Sequence, residues 1–269
     1  MLRLVALITG ALVLASAALA VAQFRGRGLD VRALAPAQFP DGDVVICRLV
    51  YTEVRRYGVG WRTDYPLGER NLSIRLSELT RTRVSRGGNG EPNHYLVRLS
   101  DDQLFSCPLL VAGDIASAGL SPADAERLRE YLLKGGFLWT DDHWGTEEWE
   151  VWTRELAKVF PPDEYPIELV TPADPIFSTQ VVVKQMPQIP NIGYWRGSGG
   201  DTSEQGADSA VPHFYAVRDH HGRIMLAMTH NTDIFDAFER EADDPRFFSR
   251  FSPTGYALGI NVLLYAMSH

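Results

Sequence analysis

The strongest constraint on the fold of this chain is a set of short apolar stretches that alternate with helix signals and break off at polar residues. Residues 43–52 (DVVICRLVYT) are apolar and β-branched on both parities, as in a strand covered on both faces. Residues 108–113 (PLLVAG) and 137–140 (FLWT) are shorter stretches of the same kind, and residues 94–99 alternate as a strand does. Helix signals lie between them. Leu72, Leu76 and Leu79 fall on one helical face. Ser121-Pro122-Ala123-Asp124 combines a capping hydroxyl, a first-turn proline and an acid at the positive helix end. That helix carries Leu128, Tyr131 and Leu132 inward and ends at Gly135-Gly136. Thr146 is placed to cap a helix reaching Val159, with Trp149, Trp152 and Leu156 on one face. Strands alternating with helices predict an α/β protein with a doubly wound, mostly parallel sheet.

The last third of the chain makes the sheet mixed. Residues 211–218 and 223–229 form a hairpin around Asp219-His220-His221-Gly222. Asn231 or Thr232 starts a helix containing Ile234, Phe235 and Phe238, and residues 254–267 form a final apolar helix. Between 163 and 210 the pattern weakens, and 195–206 (WRGSGGDTSEQG) is expected to be an exposed flexible loop.

The amino terminus differs from the body. Arg3 is the only charge before Arg25, and Ala18-Leu19-Ala20 and Ala20-Val21-Ala22 both fit a signal-peptidase site. Residues 1–22 are therefore expected to be a secretory signal peptide, making the protein periplasmic or secreted. The alternative is a membrane anchor, since the run is close to the ~20 residues that span a bilayer. Residues 23–42 read as a flexible leader and 43–269 as a single domain. With 34 acidic against 26 basic residues, and no Lys/Arg block, nucleic acid is not an expected partner. Cys47 and Cys107 are the only cysteines. Export permits a disulfide, but two buried thiols in strands is the favoured expectation, because Cys47 sits mid-strand and a bridge needs close Cα atoms.

In doubly wound sheets, ligands bind outside the carboxyl ends of the strands. If the strands are parallel, their polar tails share one rim: Glu53, Asp114, Asp141, Asp142, His143, His230 and Asp233. These residues are candidates for a ligand site, with Trp61, Asp64 and Tyr65 as further lining. A divalent metal held by Asp142, His143 and His230 could activate water for hydrolysis. The plainer reading is that aspartates at strand ends satisfy loop amides and helix amino termini. The chain contains no Walker loop, G-x-G-x-x-G, H-E-x-x-H, C-x-x-C or G-x-S-x-G.

In order along the chain come RLVY, then WRTDYP at 61–66, RLSELT at 75–80, and LREYLLKGGFL at 128–138. Asp141-Asp142, Gly222-Arg223-Ile224, Asp233 and GINVLLYA at 259–266 follow. This series resembles a bacterial family, domain of unknown function 4159, over about residues 43–267. The resemblance implies a flavodoxin-like fold related to class I glutamine amidotransferases. It also implies a functional link to MoxR-type ATPases and von Willebrand A-domain proteins, with no established activity or cofactor. In amidotransferases a Gly-rich strand leads to a nucleophilic cysteine. Here the corresponding strand arrives at Asp141-Asp142, so glutaminase chemistry, which needs a thiolate beside a base, is not expected. The resulting expectation is a non-catalytic module binding a small ligand or an envelope protein partner. The alternatives are a metal-dependent hydrolase using the Asp141-Asp142-His143 rim and a structural envelope component.

Overall fold

In the computed structural model, seven strands among the described residues form one sheet in the order β2-β1-β3-β4-β7-β6-β5. The structure describes residues 33–269, so the expected signal peptide at 1–22 and the first part of the leader lie outside it. The strands are β1 (Ile46–Leu49), β2 (His94–Val97), β3 (Leu110–Ala112), β4 (Leu138–Thr140), β5 (Glu168–Val170), β6 (His213–Arg218) and β7 (Ile224–His230). β2, β1, β3, β4 and β7 are mutually parallel. β6 runs antiparallel to β7, and β5 antiparallel to β6. The sheet is thus a flavodoxin-like doubly wound core, extended by the hairpin that the sequence predicts.

The helices are α1 (Leu67–Leu79), α2 (Pro122–Leu133), α3 (Gly145–Leu156), α4 (Ile192–Gly197), α5 (Asp236–Glu239) and α6 (Pro245–Ser268). Ile46, Val111, Trp139 and Ala227 pack on one face of the sheet with Leu72 and Leu76 of α1, Phe238 of α5 and Leu258 and Val262 of α6. The alternate residues Cys47, Leu110, Leu138 and Leu226 are equally buried, as a sheet covered on both faces requires. Ser121 caps α2 as predicted, closing a capping box with Asp124.

Several expectations need correction. Leu79 is 58% exposed, because α1 ends there and turns away from the core. Thr146 is not a cap: α3 begins at Gly145, and Asp208 accepts from both Thr146 N (2.7 Å) and its hydroxyl (2.6 Å). The segment 195–206 is not a plain loop. Asn191 caps α4 through Gly193 N and Tyr194 N, and Trp195 packs against Phe247 and Phe251. No regular helix starts at Asn231 or Thr232. Asn231 takes a left-handed backbone (φ 59°), and the chain turns before α5. The final helix starts at Pro245, nine residues earlier than expected, capped by Asp244 and running through Pro253. Pro253 is exposed, so water can satisfy the carbonyl that its missing N–H leaves unpaired. Part of the expected leader lies along β2: Ala35 N donates to Leu96 O (3.1 Å), and Phe39 packs on Tyr95.

The cysteines overturn the expected free thiols. Cys47 and Cys107 form a disulfide with Cα atoms 6.0 Å apart. β1 pairs with β3 so that Cys47 N donates to Leu109 O, which brings the segment leading into β3 beside Cys47. Closing this 60-residue separation stabilises the fold by about 4 kcal/mol on the chain-entropy model.

Candidate functional site

Parallel pairing carries the tails of β1, β3, β4 and β7 to one edge of the sheet. Sheet order reverses direction at β1, with β2 on one side and β3 on the other. A crevice outside the carboxyl ends at such a switch point is the characteristic ligand position of this architecture. The loop following β1 crosses it. Asp114, just beyond β3, accepts from Val59 N (2.7 Å) and Gly60 N (2.9 Å) of that loop. Tyr51 Oη donates to Gly113 O and Asp114 O (both 2.8 Å).

Backbone conformation singles out the same edge. Among the described residues, four non-glycine residues have positive φ: Asp64 (62°), Asp114 (46°), Asp142 (56°) and Asn231 (59°). Each follows a strand or lies in the loop leading from one. Left-handed backbone is uncommon outside glycine, and Asp and Asn tolerate it best. Clusters of such residues gather where a structure holds groups in fixed orientations.

Asp142 is half-buried at the turn from β4 to α3. Its Oδ1 accepts from Trp144 Nε1 (2.9 Å), and Asp114 and Thr63 lie beside its carboxyl. Two carboxyls placed in this way share one proton. Burial, followed by the charge of Asp142, pushes Asp114 up to about 10, against the pull of the Val59 and Gly60 amides. Burial also raises Asp142, with Trp144, Asp114 and Thr63 opposing.

The neighbouring acids serve the frame. Asp141 is fully buried, accepting from the Thr229 hydroxyl and from Phe235 N (2.9 Å). Burial lifts it to about 7, with those two donors opposing. Asp233 accepts from Asp236 N (2.9 Å) and so caps the turn into α5. Both follow the capping reading of strand-end aspartates.

The histidines form a separate assembly. His143 stacks on His230 (centroids 5.2 Å) and on Trp149 (6.1 Å), and His213 extends the series to His230 (6.2 Å). Both ring nitrogens of His143 are buried without a hydrogen-bond partner, while His230 Nε2 lies 3.0 Å from Gly145 O. Burial, then the neighbouring His230, holds His143 neutral well below the usual imidazole range. Among the described residues, the one group of three or more His, Cys, Asp or Glu with ligand atoms mutually within 4.8 Å is Asp64, Asp236 and Glu239. Asp142, His143 and His230 do not gather in this way. Trp61 is buried and covered by the Arg62 guanidinium (4.2 Å). Tyr65 Oη lies 2.9 Å from His94 Nδ1 at the first residue of β2.

Four residues of this edge escape the sequence reading: Arg48, Glu69, Asp236 and Glu239. Arg48 lies on β1, fully buried, and its Nε donates to Glu69 in the first turn of α1. A lone arginine inside a stretch apolar on both parities was the available signal, since a buried cation needs a partner.

Fold and site together define a doubly wound α/β protein with mostly buried carboxyls gathered at the carboxyl edge of its sheet. The profile of the family described as Domain of unknown function (DUF4159) matches residues 45–267, and the chain belongs to that family. Comparison with curated proteins gave no match.

Proposed function

We propose that this protein is an exported, non-catalytic binding or interaction module that holds a small polar ligand over Asp142. The observation that carries this reading is the Asp114–Asp142 carboxyl pair, fixed on left-handed backbone at the tips of adjacent strands and laced to the β1 loop. A partly buried carboxyl sharing its proton offers both an acceptor and a donor, which suits a ligand bearing amine or hydroxyl groups. By the family resemblance, Asp142 corresponds to the strand-to-helix turn where class I glutamine amidotransferases carry a nucleophile. A carboxyl held by Trp144 and set beside Asp114 and Thr63 is a hydrogen-bonding group, not a free nucleophile. Both cysteines are committed to the disulfide, which argues against thiol chemistry.

The disulfide supports export, since such bonds persist in oxidising compartments. Among the described residues, no helix is long and apolar enough to cross a membrane. An envelope protein of the MoxR-type ATPase or von Willebrand A-domain kind is the macromolecular partner this reading includes. The test is a thermal-shift screen of amino acids, polyamines and monosaccharides against wild type and Asp142→Asn. A compound whose stabilisation disappears in Asp142→Asn but survives in His220→Ala supports the reading. Stabilisation that is indifferent to Asp142, or no stabilisation by any compound, counts against it.

A further inference from the structure

We infer that Asp64, Asp236 and Glu239 form a binding site for one hard divalent cation, distinct from the Asp114–Asp142 pair and not dependent on its ligand role. The three carboxylates offer oxygens all within 4.8 Å of one another. Oxygens about 2.0–2.6 Å from a common Mg²⁺, Mn²⁺ or Ca²⁺ ion are separated by no more than about 5 Å. The set contains neither imidazole nor thiolate, and so suits these ions better than zinc or copper.

The independent observation is the orphaned oxygen of Asp64. Its side chain is 6% exposed, and Oδ2 is buried without a hydrogen-bond partner. Such an atom loses its hydration for nothing unless something binds it. Arg48 favours the charged form of Asp64 without a hydrogen bond to it, and Arg240 pairs with the other two acids. Arg48 donates through Nε to Glu69. Arg240 engages Glu239 (2.8 Å) and Asp236 (3.4 Å).

The backbone holds the set in place. Asp64 is left-handed, and its carbonyl accepts from Gly68 N (2.8 Å) at the start of α1. Asp236 and Glu239 stand one helical turn apart on α5 and so share a face. Asp236 Oδ2 is further fixed by Ile192 N (2.7 Å). Asp64 and Asp236 form the buried floor, and half-buried Glu239 faces the solvent side from which an ion and its remaining waters enter.

The experiment uses the intact exported protein, stripped with chelator and titrated with Mn²⁺ while free Mn²⁺ is followed by electron paramagnetic resonance. The expected result is one ion per chain with a dissociation constant below about 1 mM, displaced by Mg²⁺ or Ca²⁺. Asp64→Asn and Glu239→Gln should each weaken binding at least about tenfold, a loss of about 1.4 kcal/mol, while His220→Ala leaves it unchanged. Because the readout is Mn²⁺ itself and not an organic compound, this site stands or falls separately from the ligand reading. Full free-ion signal with wild type at millimolar Mn²⁺, or unaltered binding in folded Asp64→Asn and Glu239→Gln, overturns the inference. If either variant does not fold, wild-type amide signals decide. Mn²⁺ broadening centred on Asp64 and Asp236 supports the site, and broadening centred elsewhere overturns it.

Discussion

Arg48 and Glu69 form an ion pair sealed inside the molecule, with side chains 1% and 0% exposed. The pair joins the middle of β1 to the first turn of α1. Removing one partner strands a buried charge, which typically destabilises by about 3–5 kcal/mol. Glu69→Ala is therefore expected to lower the urea midpoint sharply. The double replacement Arg48→Met with Glu69→Leu should recover most of the loss, because an apolar pair leaves no unmatched charge. Equal loss in single and double variants would contradict this account.

The Cys47–Cys107 bridge predicts a thiol count. Unfolded, unreduced protein should show no reactive thiol, and reduced protein should show two, because the chain has only two cysteines. Replacing both with serine should lower stability by about 4 kcal/mol. A wild-type protein that titrates two thiols when merely unfolded would refute the bridge.

Asp114 predicts a decline of stability in mild alkali. Its carboxyl titrates near 10 in the folded protein and near about 3.9 in an unfolded chain. The folded state therefore keeps a proton that the unfolded state has lost. Stability from this group is full below the unfolded value and drains away as pH rises toward the folded one. Between pH 7 and pH 9 the slope should reach up to about 1.4 kcal/mol per pH unit. Asp114→Asn should flatten it. Denaturant titrations at three pH values check both.

Gly113 sits where β3 meets the crevice. A Cβ added there would lie 2.1 Å from Thr63 Cγ2, so one of the two must move. Gly113→Ala is expected to destabilise by about 1–3 kcal/mol, as overpacking does. Because Thr63 lies beside Asp142, the same change should weaken any ligand whose binding needs Asp142.

Strand tips were legible from periodicity alone. Apolar runs that stop at Asp114, Asp141 and His230 place those residues on one edge once the strands are parallel, and the pairing bears this out. What periodicity cannot supply is who meets whom across the tertiary fold. Glu69 and Arg48 are 21 positions apart, and Asp64 lies far along the chain from Asp236 and Glu239, so neither grouping leaves a local pattern. The disulfide was missed for the same reason: it depends on β1 pairing with β3, not on spacing. His143 and His230 do come together, but as a stack with Trp149, which residue type could not distinguish from metal ligands.

The left-handed backbone at Asp64, Asp114 and Asp142 has a practical bearing on mutagenesis. Replacing any of them with alanine deletes a carboxylate and also penalises the local dihedral by roughly 1–2 kcal/mol. An alanine survey of this edge would thus register main-chain discomfort as lost chemistry. Asparagine, which keeps the shape and accepts the conformation, is the substitution whose phenotype can be interpreted.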